Sequence, residues 1–242
     1  MHEFNVSSGS AGPRCGRGTG LTVPEQKKLS DVFSSEARTE ETAVNSALSL
    51  ARVRDEAAAC RRCPLWEHAT QTVFGEGPPD AKLMLVGEQP GDQEDLRGKP
   101  FVGPAGAVLR EALHEAGIDP AKAYVTNAVK HFKFVIQRGK RRIHQKPNVI
   151  EIEACHHWLE QELDLLRPEM VVALGATAAR AVFGQEMAIQ RNRSRIIPLG
   201  NGPRALITVH PSFLLRLPDE ASRAAEYRRF VADLALVAAY AA

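Results

Sequence analysis

The sequence predicts a three-layer α/β/α sandwich around a central, mainly parallel four-stranded sheet. Three observations lead there. Four short apolar runs, Leu83 to Val86, Ala123 to Ala128, Met170 to Leu174 and Ala205 to Val209, suit strands covered on both faces. Segments with helical spacing lie between them, and each run ends abruptly at glycine or a polar residue. The chain has 242 residues and is 44% hydrophobic, enough for a real core.

Residues 1 to 42 are rich in Ser, Gly, Thr and charge, show no sustained periodicity, and read as a disordered tail ahead of a single domain, 43 to 242. Cys15 in that tail reads as incidental. The start, MHEFNVSSGSAG, lacks the charged and apolar regions of a signal peptide, and no window approaches a membrane span. A cytoplasmic monomer with no membrane contact is expected. Net charge is only +2, so any basic footprint must be local. Four cysteines in such a chain favour metal binding or free thiols over a disulfide framework.

From Ala43 to Ala59, Val44, Leu48 and Val53 with many alanines give a helix leading to Cys60-Arg-Arg-Cys63-Pro64. This CxxC brings two sulfurs close enough to share one metal or cluster. Two ligands do not make a site. Cys155 and His131 are candidates for the others, although Cys155 also falls on the apolar face of a helix, where a thiol simply fills space. A redox CxxC is disfavoured because no βαβ context surrounds it.

The stretch Leu83 to Gly106, LMLVGEQPGDQEDLRGKPFVGPAG, is the expected active site. A strand ends at Gly87. Glycines and prolines then let the backbone turn close to a ligand, while Glu88, Asp92, Glu94 and Asp95 crowd negative charge beside it. Pro104 and Gly106 open an amphipathic helix, Ala107 to Ala116. Strand, polar loop and helix is where open α/β sheets put their ligands. The plainer alternative is a turn-rich connection.

The second strand ends in Asn127, whose amide could read a base edge carrying an N–H beside a carbonyl, or could cap the next turn. Lys130 to Lys146, KHFKFVIQRGKRRIHQK, contains no acid, and Phe132 and Phe134 interleave with its charges, as in surfaces that track a phosphate backbone. His144 lies within it, either as one more polar loop residue or as a neutral, nucleophilic imidazole. Asn148 to Leu166 is the helix bearing Cys155, with Pro168 as its stop. The third strand ends at Gly175 before a small-residue helix, Ala176 to Phe183. Arg191 to Arg195, RNRSR, is a second basic patch. The fourth strand delivers His210-Pro211-Ser212-Phe213-Leu214-Leu215-Arg216 at its carboxyl end. A last helix with Tyr227, Phe230, Leu234 and Val237 on one face closes the layer. Four strand ends therefore converge at one rim, a crevice suited to a small ring-shaped ligand.

The combination CRRCPL, VFGEGPPDAKLMLVGEQPG, GKPFVGPAG, YVTNAVK, VVALGATAA and VHPSFLLR resembles the iron-sulfur uracil-DNA glycosylases, from about residue 46 to the C-terminus. The motif Gly87-Glu88-Gln89-Pro90-Gly91 and the inserted Lys140-Arg141-Arg142-Ile143-His144 resemble the UdgX subfamily, which stays covalently bonded to DNA after excising uracil. The resemblance implies a four-iron, four-sulfur (4Fe-4S) cluster held by Cys60, Cys63, His131 and Cys155. It implies uracil-containing DNA, single-stranded at least, as the partner, with uracil released.

The roles follow from the same likeness. Phe101 stacks on the flipped base, and Asn127 pairs with uracil N3–H and O4. Gly87, Gln89 and Arg216 complete the substrate contacts. His210 donates to the uracil O2. Lys130, Lys140, Arg141, Arg142 and Ser212 hold the DNA. His144 attacks the sugar with Glu88 orienting it or taking its proton, where an ordinary relative would direct water from an acid such as Asp92. A conventional hydrolytic, multiple-turnover glycosylase is the first rival. A non-catalytic zinc or iron-sulfur nucleic-acid-binding module is the second.

Overall fold

The computed structural model describes residues 40 to 137 and 141 to 241. Cys15, Lys140 and nearly all of the expected tail lie outside them. In chain order the strands are β1 (Leu83–Gly87), β2 (Ala123–Asn127), β3 (Phe134–Ile136), β4 (Arg142–His144), β5 (Met170–Leu174), β6 (Ile196–Pro198) and β7 (Arg204–Thr208). The helices are α1 (Glu40–Ala58), α2 (Asp92–Arg97), α3 (Pro104–Glu115), α4 (Val149–Leu166), α5 (Ala176–Phe183), α6 (Ile189–Asn192), α7 (Pro211–Leu214) and α8 (Glu220–Ala235).

The main sheet has the order β2-β1-β5-β7-β6. It has five strands, not four. Its first four are parallel, and β6 adds antiparallel to β7. Ile196–Pro198 is too short and too exposed to read as a core strand, and Pro198, lacking an N–H, is tolerable because β6 is an edge.

Side-chain alternation divides the core between the two faces of the sheet. Met84, Val86, Val171, Ala173, Ala205 and Ile207 pack against α1, α4 and α5. Leu83, Leu85, Met170, Val172, Leu174 and Leu206 pack against α3 and α8. Strands covered on both sides must be apolar at every position, hence the continuous runs. Each large side chain so buried contributes about 1.5–3 kcal/mol.

From β1 the chain crosses through α3 on one face to β2, then returns through α4 on the other face to β5, on the far side of β1. The carboxyl ends of β1 and β5 therefore flank a crevice where the winding reverses. Asn148 starts α4 by accepting from the Glu151 N–H at 2.9 Å, while Glu151 accepts from the Asn148 N–H.

The basic stretch differs from the loop expected for it. It folds back as the β3–β4 hairpin, pairing Phe134 with His144 and Ile136 with Arg142. Among the described residues no helix is long and apolar enough to cross a membrane.

Candidate active site

A cavity of about 750 Å³ opens at this crevice, lined among others by Glu88, Gln89, Phe101, Asn127, His144, Gly175, His210 and Arg216. Its end wall depends on what Gly87 lacks. Gly87 pairs with Asn127 in the β1–β2 register. A Cβ on Gly87 would lie 2.3 Å from Asn127 Oδ1 and 2.7 Å from Phe101 Cζ. Only a hydrogen at this position lets the amide and the ring meet. Asn127 is buried, and Phe101, at φ 53°, is turned back under the loop by the close approach of Gly106 to its carbonyl. Phe101 also has core to fill. It does both jobs, lining the cavity and packing into the core against α3.

His210 enters from the end of β7, its ring stacked 6.1 Å from Phe101. Its Nδ1 accepts the Ser212 N–H at 3.2 Å and lies 2.8 Å from Ser212 Oγ, which in turn accepts from Arg216 Nη1 at 3.0 Å. An accepting Nδ1 leaves the proton on Nε2. Burial pushes His210 down to about 4, against the attraction of Glu88, and Arg216 and His144 lower it further. It is a neutral donor at physiological pH. Ser212, expected on DNA, thus orients His210, and Arg216, expected on the substrate, reaches Ser212.

Glu88 follows β1. Its Oε1 lies 3.3 Å from His144 Nε2, and its Oε2 accepts from Thr177 Oγ1 at the start of α5. Burial pushes its carboxyl up, but the hydrogen bonds from His144 and Thr177 and the charges of His144 and His210 outweigh it, so the group lies below the ordinary glutamate range. Glu88 is a fixed carboxylate.

Three other acids of the loop are structural. Asp92 and Asp95 accept from Arg142 at 2.6 and 2.5 Å. Asp92 is held by Arg142 and does not line the cavity, against its expected place there; of the loop carboxylates Glu88 and Glu94 line it, and Glu94 is engaged by backbone N–H groups. Glu94 accepts the N–H groups of Gly91 at 3.1 Å and Gly103 at 2.7 Å, tying the two halves of the loop together.

The hairpin is held from the same loop. Gln89 donates to the carbonyls of Lys133 and Gln145 at 3.2 and 3.1 Å and accepts the Lys133 N–H at 3.2 Å. Its amide is engaged on the backbone of the hairpin, while the residue also lines the cavity. Arg142 spans Asp92, Asp95 and the rings of Phe132 and Phe134, so its charge is neutralised beneath the hairpin rather than offered to a phosphate. Arg141 is exposed.

Lys130 is the clearest correction. It is fully buried, donating to Glu162 at 2.6 Å, Thr126 Oγ1 at 2.7 Å and the Asn127 carbonyl at 2.8 Å. A buried ammonium needs such partners and cannot reach DNA. Likewise Arg193 of the RNRSR patch is buried against Asp233 and Glu226, leaving Arg191 and Arg195 exposed.

The cysteines gather on the other side of the Asn127–Lys130 segment. Trp158 Nε1 donates to Cys60 Sγ and the Lys130 N–H to Cys155 Sγ, both at 3.2 Å. Burial pushes the Cys155 thiol up to about 12; Lys130 pulls it down, and Cys63 and Cys60 push it up again. Three sulfurs close enough to feel one another, with N–H donors aimed at two of them, fit cluster ligation, in which such bonds tune the sulfurs. Among the described residues no three His, Cys, Asp or Glu side chains close to single-ion spacing. His131 Nε2 lies 2.9 Å from Thr72 Oγ1.

Thr177 and Lys146 also belong to this site and were not among the expected site residues. The position of Thr177, two residues past a strand-ending glycine, was the available signal.

Comparison with known proteins agrees with this geometry. The family described as "Uracil DNA glycosylase superfamily" matches residues 74 to 235. A Type-4 uracil-DNA glycosylase of Thermotoga maritima is 37% identical over 182 residues, 75% of this chain and 88% of the relative. The Type-4 enzyme of Pyrobaculum aerophilum is 32% identical, covering 71% and 87%. A Type-5 uracil-DNA glycosylase of Thermus thermophilus is 34% identical, covering 64% and 74%. With the match spanning the whole sheet and every strand end that lines the cavity, this chain belongs to the uracil DNA glycosylase superfamily.

Proposed function

We propose that this chain excises uracil from DNA by breaking the bond between the base N1 and the sugar C1′. The observation that carries the reading is the convergence of Asn127, Phe101 and His210 on one cavity behind an obligatory glycine. A base inside a duplex hides C1′, so the uracil leaves the stack and enters the cavity. Phe101 stacks on its ring. The Asn127 amide donates to O4 and accepts N3–H, a pattern that cytosine does not present. As the glycosidic bond lengthens, its electron pair moves onto the uracil, and the Nε2–H of His210 meets the growing charge at O2. Such a donor is worth about 2.7–4 kcal/mol in the transition state. Neutral His210 suits this task, because it stabilises the leaving anion without protonating it.

The cationic sugar then needs a nucleophile. In the reading that matches the named activity of the relatives, Glu88 holds a water against C1′ and takes its proton. The nearness of His144 Nε2 to Glu88 favours a second reading, the UdgX-like one. There Nε2 bonds to C1′ as its proton passes to Glu88, leaving an alkylated imidazole and a trapped protein–DNA adduct.

Denaturing electrophoresis with a labelled uracil-containing oligonucleotide separates the two readings. Free uracil and abasic DNA over many turnovers mean hydrolysis. A slow band absent in His144→Ser means capture. Neither product, from protein whose iron and sulfide are intact, overturns the glycosylase reading.

Cys60, Cys63 and Cys155, with His131, would hold a 4Fe-4S cluster whose contribution is to pin the CxxC turn, the Asn127–His131 segment and α4 together. Iron and sulfide analysis tests this directly.

A further inference from the structure

Glu88 sits on a loop, and a loop carboxylate can swing. One contact stops it. Thr177 is 2% exposed and stands at the second position of α5, where no earlier turn of the helix supplies a carbonyl for a threonine hydroxyl to bond back to. Its hydroxyl instead crosses to the end of the neighbouring strand and donates to Glu88 Oε2. The partnership is set by the sheet, since β1 and β5 are paired with Val86 opposite Ala173. With Oε2 so engaged, Oε1 is left for His144 Nε2 at 3.3 Å, on the cavity side.

We propose that Thr177 is a positioning residue for the reaction, holding one oxygen of Glu88 so that the other meets the nucleophile. The inference rests on the reading above in which Glu88 serves the nucleophile. It applies whether that nucleophile is water or His144, since both use the free oxygen. Hydrogen bonding to the ionised form also keeps Glu88 a carboxylate. The other groups facing it are His144 from the hairpin and His210 from the end of β7, with Arg216 and Ser212 behind His210.

The test is the pH dependence of single-turnover uracil release by the intact protein, comparing wild type, Thr177→Val, Thr177→Ser and Glu88→Gln. Valine keeps the shape and loses the donor. Losing that donor lets Glu88 hold its proton at higher pH, so the acid limb moves upward. Release at neutral pH falls on the order of tenfold, with the KM for DNA little changed. Serine restores both limb and rate. Should the valine variant not fold, Thr177→Ala gives the same readout, since alanine fits beside Ala178 and Ala179.

A wild-type limb and rate in Thr177→Val, beside an impaired Glu88→Gln, overturns the role of Thr177 alone. An unimpaired Glu88→Gln overturns the role of Glu88, and the inference about Thr177 falls with it.

Discussion

Gly87 and Asn127 stand opposite one another at the carboxyl ends of β1 and β2, so close that a single methyl group on Gly87 would come within 2.3 Å of Asn127 Oδ1. Gly87→Ala should therefore displace both the amide and the Phe101 ring. Misplacement by about 1 Å costs on the order of 10²-fold in rate. Uracil release should fall by at least that factor while the protein loses about 1–3 kcal/mol of stability from overpacking. Release assays beside urea denaturation check this, and near-normal release would show that the wall is not part of the base pocket.

Asn127→Asp exchanges the amide donor for a second acceptor. The carboxylate cannot donate to uracil O4 but can accept from the exocyclic amine of cytosine. Release of uracil should drop on the order of 10²-fold or more, and the ratio of cytosine to uracil release should rise. Parallel assays on oligonucleotides carrying each base measure the ratio. An unchanged ratio would remove Asn127 from base recognition.

Lys130 and Glu162, 2.6 Å apart and both buried, form a pair whose halves depend on one another. Lys130→Met leaves a buried carboxylate uncompensated and should cost about 3–5 kcal/mol, whereas changing both residues to apolar ones should recover much of the loss. The salt dependence of DNA binding should not respond to Lys130→Met. Exposed Arg141 is the contrast: Arg141→Ala should reduce the logarithmic salt slope by about 0.9 if that guanidinium contacts a duplex phosphate. A slope change in Lys130→Met would contradict its burial.

His210 has a folded-state pKa of about 4, below the 6.5 of a free histidine. Its neutral form is the one that fits the fold, so its contribution to stability is complete above pH 6.5 and is lost as pH falls from there towards 4. Uracil release should accordingly show no loss near pH 6.5 traceable to His210. Nitrogen NMR should find the proton on Nε2 across that range. A His210 titration midpoint near 6.5 would contradict the assignment.

The continuous apolar runs made β1, β2, β5 and β7 legible, because a strand buried on both faces has no choice of residue type. The same runs, each ending at a polar residue or a glycine, marked Glu88, Asn127, Gly175 and His210 as one rim. β6 was not legible: three residues pairing at an edge carry no periodic signal, and their pairing depends on β7 being there. The β3–β4 hairpin was hidden by its charges, which read as an open loop.

What the sequence could not decide was where each charge points. Lys130 and Arg142 look in the chain like one basic footprint with Arg141, and Arg193 like part of a second. The fold sends Lys130 to Glu162, Arg142 to Asp92 and Asp95, and Arg193 to Asp233, partners 32, 50, 47 and 40 residues away. By itself the sequence determined the four parallel core strands, the buried faces of the helices packed on them and which of those strand ends meet, since these follow from local hydrophobic pattern and the hand of the crossovers. Only the tertiary structure decided which carboxylate faces the cavity and which cations remain free. Ion pairing depends on distances of a few ångströms between residues far apart in sequence, and no local pattern encodes them.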